Sequence, residues 1–279
     1  MLKKISKILI ANRGEIACRI IRTAHKIGIS CVAVYSDADA RSLYVSKADE
    51  SFHIGQSIAS QSYLDIKKIC AIATKSGCDA VHPGYGFLSE NHEFARMLAK
   101  KNICFIGPDA KTIQMMGDKV RSKQIAKEAG VNTVPGYAGI ISSIKEAEEI
   151  AESTGFPVML KATAGGGGKG MRIIYSKPDI AQAFESASNV ALKNFKDNRI
   201  FIEKYIENPR HIEVQILADQ YGNVVCLGER ECSIQRHNQK VIEETPSPFL
   251  DEETRQKMYT QCVSLAQKVG YISAGTVEF

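Results

Sequence analysis

Four consecutive glycines, Gly165 to Gly168, lie inside the run Thr163-Ala-Gly-Gly-Gly-Gly-Lys-Gly-Met171. The apolar stretch Pro157-Val-Met-Leu-Lys-Ala162 precedes the run and the β-rich Arg172-Ile-Ile-Tyr175 follows it, so the segment reads as strand, glycine loop, strand. Without Cβ atoms, such a backbone can approach a polyanion closely and turn its N–H groups toward it, while Lys161 and Lys169 on either side supply positive charge. A triphosphate is the natural ligand. A Walker-type loop is excluded on two grounds: no Ser or Thr follows Lys169 to hold magnesium, and a strand continues where that motif needs a helix. What remains is a hairpin lid over a nucleotide, with a glycine hairpin of no chemical role as the competing reading.

Upstream, short apolar runs alternate with helical patterns. Strands are expected at Lys7 to Ala11, Cys31 to Tyr35, Asp79 to Val81 and Ile103 to Gly107; helices at Gly14 to Lys26, Tyr63 to Lys75 and Asn91 to Lys101. This alternation implies a doubly wound parallel sheet, whose strand-end loops here hold Asn12-Arg-Gly14 and His82-Pro-Gly-Tyr-Gly-Phe-Leu-Ser-Glu-Asn91. The Gly84-x-Gly86 pair is no dinucleotide fingerprint, because Ser89 stands where the last glycine belongs. Arg13 and Glu15 could serve a subunit contact. His82 and Glu90 read as braces of a strand-end loop, and His25 and His92 as surface residues.

Helical segments at 111–116 and 119–129 lead into a second region. It should contain helices at 143–152 and 179–192, the glycine hairpin, and strands at 200–206, 211–217 and 223–227, the last two joined by the turn Asp219 to Asn223. Phe201, Glu203 and Tyr205 share one strand face; His211, Glu213, Gln215 and Leu217 share another, opposite Ile212, Val214 and Ile216. Polar groups gathered on one sheet face can line a nucleotide cleft or simply face solvent.

With 279 residues, 44% hydrophobic and 24% charged, the chain can build about two domains. Its net charge of +5 suits an anionic ligand, but without a long Lys/Arg run or basic stripe it does not suggest nucleic acid. Eight cysteines without a C-x-x-C pair are expected to be reduced, and Cys232 to be packing. The start, Met1 to Lys7, is too short for a transit sequence, and no apolar stretch reaches the ~20 residues of a membrane span. The expected location is cytoplasmic, with a processed mitochondrial matrix chain as the alternative.

Six segments occur in the order found in biotin carboxylases: Ile10 to Ala17, His82 to Asn91, Met116 to Lys119, the glycine run, Glu203 to His211, and Glu229 to Lys240. The chain resembles that family over its whole length. Val241-Ile-Glu-Glu-Thr-Pro-Ser247, and Asn238 where bacterial acetyl-CoA-type subunits usually carry His, look closer to propionyl-CoA carboxylase α chains. The resemblance implies an α/β chain: an N-terminal Rossmann-like domain over residues 1–115, then an ATP-grasp domain over 116–279, cut short at its C-terminus, with a glycine-rich lid at about 132–203.

It also implies ATP-dependent carboxylation of biotin by bicarbonate through carboxyphosphate, with Mg2+ (or Mn2+), as the biotin carboxylase part of an acyl-CoA carboxylase. By the same resemblance Lys119 and Lys161 would meet the α and β phosphates, Gly165, Gly166, Gly167 and Gly168 would cover the β and γ phosphates, and Lys169 would close with the lid. Glu203 would read adenine by its side chain, and Lys204, Tyr205 and Ile206 by their backbone. His211, Gln235 and Asn238 match ribose-side positions, Lys240 the catalytic bicarbonate lysine, and Glu278 the first of two magnesium glutamates.

Implied partners are a biotin carboxyl carrier domain, a carboxyltransferase (β) subunit and a second copy of the chain, with no nucleic acid and no membrane. In the family, the strand Thr276 to Phe279 leads to a second metal glutamate and to residues that orient bicarbonate, so the chain alone is expected not to carboxylate biotin. Two other readings stay open: an ATP-grasp ligase for another carboxylate, and a non-catalytic ATP-binding or assembly module.

Overall fold

The computed structural model describes residues 4–137, 139–163, 171–237 and 239–279. Two compact units divide the chain, Met1–Gln114 and Met115–Phe279. Gly165 to Gly168, Lys169 and Asn238 lie outside the described residues.

The first unit runs β1 (Lys7–Ile10), α1 (Gly14–Lys26), β2 (Ser30–Ser36), α2 (Leu43–Lys47), β3 (Glu50–Gly55), α3 (Ile66–Lys75), β4 (Ala80–His82), α4 (His92–Ala99) and β5 (Cys104–Phe105), followed by α5 (Ala110–Gly117). The strands pair in parallel in the order β3-β2-β1-β4-β5, the doubly wound sheet that the alternation implies. β1 is central: Leu9 and Ile10 are fully buried, one in each of two apolar clusters. α1 lays Ala17, Ile20, Ile21 and Ala24 against one of them, at the spacing of a single helical face. Four elements differ from the sequence reading. α3 begins only at Ile66, because the Asp65 carboxylate accepts the Lys68 N–H at 2.9 Å and caps it there. β5 is two residues long. β3 and α2 have no apolar pattern to announce them; β3 is a half-exposed edge strand with Ile54 as its one buried residue.

The second unit runs α6 (Lys119–Glu128), α7 (Ile144–Thr154), β6 (Val158–Ala162), β7 (Arg172–Ile174), α8 (Ile180–Phe195), β8 (Ile200–Lys204), β9 (Ile212–Ala218), β10 (Val224–Arg236), β11 (Gln239–Glu244), α9 (Glu252–Val269) and β12 (Ser273–Glu278). It holds two antiparallel sheets, β7-β6-β8 and β11-β10-β9-β12. β6 and β7, which flank the glycine run, are antiparallel neighbours, with Leu160 opposite Arg172. The inner face of the smaller sheet (Val158, Leu160, Ile200, Ile202) packs on Ala147, Ala151, Ile180 and Ala187 of α7 and α8. In the larger sheet Ile212, Val214 and Ile216 pack on Met258, Cys262 and Ala266 of α9. Each of the Val, Leu, Ile and Met side chains among them, fully buried, stabilises the unit by roughly 1.5–3 kcal/mol before entropy is counted.

β10 is longer than the expected 223–227. A register shift between Cys226 and Glu229, with Gly228 at φ +99°, lets the strand bend and continue to Arg236. α9 lies in a stretch too polar for a periodic signal, yet its ends are marked: Asp251 accepts the Thr254 N–H at 2.7 Å, and Gly270 closes the helix at φ +63°. α6 is tied to α9, since Ser264 Oγ donates to Ala129 O (2.6 Å) and Asn132 N to Gln261 Oε1 (3.0 Å). α6 therefore joins the helix on the larger sheet to residues of the smaller one.

Candidate functional site

β6 and β8 pair so that Met159 faces Glu203 and Lys161 faces Phe201, which makes Lys161 and Glu203 diagonal neighbours on one sheet face. That face is not solvated: Phe201 and Glu203 are buried. α6 covers it, beginning at Asp118, whose carboxylate accepts the N–H groups of Val120 and Arg121 at 3.0 Å. Lys119, the first residue of α6, sits beside the end of β6, its N–H 3.5 Å from Thr163 O. One turn on, Lys123 donates to Glu203 Oε2 at 2.6 Å and lies 5.7 Å above the Phe201 ring. Lys161 donates to Glu203 Oε1.

Three lysines thus gather here, and two of their ammonium groups, those of Lys123 and Lys161, share the single Glu203 carboxylate. Burial pulls Lys119 and Lys123 below the ordinary lysine value; burial, then repulsion from Lys123 and Lys119, lowers Lys161 from 10.5 to about 8. Such a surplus of desolvated positive charge has the chemistry to take a polyanion. Glu203 serves here as the counter-ion of two lysines. The Lys204 N–H goes to Pro135 O (2.8 Å) and the Tyr205 N–H to Pro157 O (3.1 Å), so neither is available to a nucleobase. The Lys204 ammonium turns to Gly155 O (2.9 Å) and Phe156 O (2.7 Å), while Ile206, beyond the end of β8, is exposed.

A second cluster is built on β9, β10, β11 and β12. Glu213 on β9 stands opposite Arg230 on β10 and Glu278 on β12. Its Oε1 accepts Arg230 Nε at 2.7 Å and Nη2 at 2.5 Å; its Oε2 accepts from Lys240, which also reaches Glu278 Oε1 at 3.2 Å. Burial pushes the Glu213 carboxyl up, but the hydrogen bonds from Lys240 and Arg230 outweigh it and hold the group below the usual range. Burial likewise opposes the charge on Lys240, and the Glu213 and Glu278 carboxylates outweigh it, so Lys240 is raised. His211, just before β9, is held by its N–H to Ser233 Oγ (2.9 Å) and by Gln235 Nε2 donating to Nδ1 (3.0 Å). Its buried Nε2 finds no hydrogen-bond partner among the described residues, and the nearest carboxylate oxygens are Glu278 Oε1 at 3.5 Å and Glu213 Oε2 at 3.8 Å. Ligand atoms of His211, Glu213 and Glu278 all lie within 4.8 Å of one another.

The rest of the Glu229 to Lys240 segment is anchored from behind. Glu229 accepts from Arg255 Nε (2.9 Å), Ser247 N (3.1 Å) and Tyr259, and Glu231 accepts from Ser247 Oγ (2.7 Å) and Ser233. Cys232 is buried and burial pushes its thiol up, as packing requires.

The structure therefore brings Lys119, Lys161 and Glu203 into one cluster, and His211, Gln235, Lys240 and Glu278 into another. Sequence reasoning singled out neither Lys123 nor the paired roles of Glu213 and Arg230. Lys123 was detectable as the residue one turn beyond Lys119; the Glu213–Arg230 pair depends on strand register. In the first unit the strand-end loops bind each other. Asn12 Nδ2 donates to Pro83 O and Tyr85 O, both at 2.7 Å, and His82 Nδ1 accepts the Gly84 N–H at 3.0 Å. Arg13 grips Asp39 with Nε at 2.7 Å and Nη2 at 2.5 Å, and holds its carboxyl down at about 2.

A doubly wound unit followed by two antiparallel sheets, with the paired strands β6 and β7 flanking the glycine run of the sequence and a lysine cluster beside them, defines an ATP-grasp protein. Residues 4–113 match the family described as biotin carboxylase, N-terminal domain, and residues 118–279 that described as carbamoyl-phosphate synthase L chain, ATP binding domain. The chain belongs to the biotin carboxylase family, with the N-terminal domain and an ATP-grasp domain, as the six ordered motifs imply. It is similar to the propionyl-CoA carboxylase alpha chain of Ruegeria pomeroyi (59% identity over 274 residues; 98% of this chain, 40% of that protein). It is similar as well to the mitochondrial propionyl-CoA carboxylase alpha chain of Homo sapiens (56% over 277 residues; 99% and 38%). The chain thus spans about two fifths of the length of these curated relatives.

Among solved structures it superposes on the biotin carboxylase domain dimer of Hydrogenobacter thermophilus 2-oxoglutarate carboxylase in complex with MgADP, ADP and bicarbonate (TM-score 0.95, 49% identity, 99% of this chain and 61% of that one). It also superposes on a biotin carboxylase–β,γ-ATP complex from Campylobacter jejuni (TM-score 0.96, 47% identity, 99% and 62%). Among the described residues no helix is long and apolar enough to cross a membrane.

Proposed function

We propose that this chain is the ATP-using part of a biotin carboxylase, serving an acyl-CoA carboxylase α chain of the propionyl-CoA type. The observation that carries the reading is the gathering of Lys119, Lys123 and Lys161, of which the last two share the single carboxylate of Glu203. A polyphosphate supplies the negative charge this cluster lacks, and charge neutralisation with positioning is what phosphoryl transfer asks of a protein. Gly165 to Gly168 and Lys169 would cover the phosphates, and Ile206 would meet the base. His211, Gln235 and Asn238 would lie on the ribose side.

Lys240 is the group for bicarbonate. It is held charged by Glu213 and Glu278, and drawing it from Glu278 toward an incoming anion needs only a small shift of a 3.2 Å contact. Glu278 and Glu213 fit a hard cation such as Mg2+ or Mn2+, because both offer carboxylate oxygens within 4.8 Å of each other. When bound, that cation would neutralise phosphate charge. The remaining partners of the reading are biotin on a carrier domain, a carboxyltransferase subunit and a second copy of the chain, in the cytoplasm or a mitochondrial matrix.

The test is phosphate release from ATP and Mg2+ as bicarbonate is varied, by the chain alone and with the remaining length of an α chain supplied. Bicarbonate-stimulated release that disappears in Lys240→Gln is the expected result. Release driven by another carboxylate would instead favour the broader ligase reading that the match to a carbamoyl-phosphate synthase domain keeps in view. ATP binding with no release in either case would favour an assembly module.

A further inference from the structure

At the close of α1 three chemically different donors come together from three separate elements. His25 lies in the last turn of α1, Cys31 is the second residue of β2, and Asp49 immediately precedes β3. The parallel pairing of β2 with β3 locks the last two: Asp49 N donates to Cys31 O at 3.0 Å, and Cys31 N to Asp49 Oδ2 at 2.7 Å. His25 Nε2 lies 2.9 Å from the same Oδ2. The Cys31 Sγ, the His25 ring nitrogen and a carboxylate oxygen of Asp49 all fall within 4.8 Å of one another. From these residues we propose a binding site for a borderline-soft divalent cation of the Zn2+ class, with His25, Cys31 and Asp49 as ligands and water in the fourth position.

The donor set and its surroundings support this. Nitrogen, thiolate and carboxylate together suit Zn2+ and its neighbours and not Mg2+ or Ca2+, which take oxygen alone. Metal–ligand bonds of ~2.0–2.3 Å place ligand atoms roughly 3.3–3.7 Å apart, so the widest gaps close by up to about 1.5 Å, and the His25–Asp49 pair, at 2.9 Å, opens slightly. His25 and Asp49 are 41% and 47% exposed and leave an approach from solvent, while Cys31 is buried beneath them. The carboxylate and the negative end of α1 both attract a cation. Lys7, already held by Glu50, is the opposing charge nearby. Burial, with Asp49 and Cys78 adding to it, pushes the Cys31 thiol up to about 11, so an entering cation must displace its proton. The site lies in the first unit and does not depend on the functional reading of the second.

Co2+ is the probe, titrated into the full chain with excess Mg2+ present to saturate hard-cation sites. One Co2+ per chain should bind with a near-ultraviolet thiolate-to-metal band, and added Zn2+ should abolish that band. Cys31→Ala, checked for folding by circular dichroism, should lose the band; His25→Gln should weaken binding by at least about tenfold, a loss that even supporting partners of metal ligands produce. Absence of a band, a band that survives Cys31→Ala, or unchanged affinity in His25→Gln would overturn the proposal. If Cys31→Ala fails to fold, the exposed His25 variant decides alone.

Discussion

Binding of a nucleoside triphosphate at the Lys119, Lys123 and Lys161 cluster should take up a proton at alkaline pH, by an amount set by Lys161. In the ligand-free fold, burial and two neighbouring ammonium groups lower this lysine from 10.5 to about 8. Beside a polyphosphate the anionic charge offsets both the burial and the repulsion, and the value returns toward the ordinary ~10.4. At pH 8.5 a group of pKa about 8 is roughly one quarter protonated and one near 10.4 almost fully so, giving an uptake of about 0.7 proton on binding. At pH 7 both forms are charged and the uptake falls to about 0.1. Affinity should accordingly fall by close to tenfold per pH unit between about 8 and ~10.4.

The ligand-free fold behaves in the opposite sense. The unfolded chain keeps this proton up to 10.5 while the folded one releases it at about 8, so stability rises with pH across that window, by up to about 3 kcal/mol. Calorimetric titration of ATP with excess Mg2+, at pH 7 and 8.5 in buffers of different ionisation enthalpy, reads the proton number directly; the phosphates are essentially ionised at both values. Lys161→Met should erase the difference between the two pH values. Equal uptake at both, or a difference that survives in that variant, would refute the assignment of the charge surplus to Lys161.

Glu203→Gln removes the carboxylate shared by Lys123 and Lys161 and should cost ~3–5 kcal/mol in urea unfolding at pH 7, the usual result of stripping a buried charge of its partner; a cost under about 1 kcal/mol would mean the lysines find other relief. Gly84→Ala and Gly86→Ala both start from φ +65°, but only at Gly84 would the new Cβ meet anything, Asn12 Nδ2 at 2.7 Å. The first should therefore destabilise by about 1–2 kcal/mol more than the second in denaturant unfolding, through loss of the Asn12 bonds to Pro83 and Tyr85, and equal costs would contradict this. Alkylation of the native chain at neutral pH should label exposed Cys104 well ahead of Cys70 and Cys262, whose thiols burial pushes up to about 11 and about 12; peptide mass mapping gives the order.

Local features were legible in the sequence, and register-dependent ones were not. β1 and α1 announce themselves because Leu9 and Ile10 are buried on both faces and Ala17, Ile20, Ile21 and Ala24 fall on one stripe. β3, buried only at Ile54, has no such signal, and α9 is marked by its caps at Asp251 and Gly270 rather than by its composition. The same division runs through the site. Lys119, Lys161 and Lys240 stand in motifs that can be read along the chain, but the partners that set their charge cannot. Lys123 meets Glu203 across 80 residues, and Glu213 meets Lys240 across 27. A slip of one residue between β6 and β8 would turn Glu203 to the opposite face and leave the lysines unpaired.

Pairing also explains why the two clusters suit different ligands. The first holds three lysines against one carboxylate and is short of negative charge, so an anion enters it without displacing anything. The second sets Lys240 and Arg230 against Glu213 and Glu278 and is close to neutral. An anion that draws Lys240 toward itself there must uncover the Glu278 carboxylate, which then favours a cation in its place. Anion and cation are thus coupled at the second cluster by one shared ion pair, a linkage that neither residue carries alone.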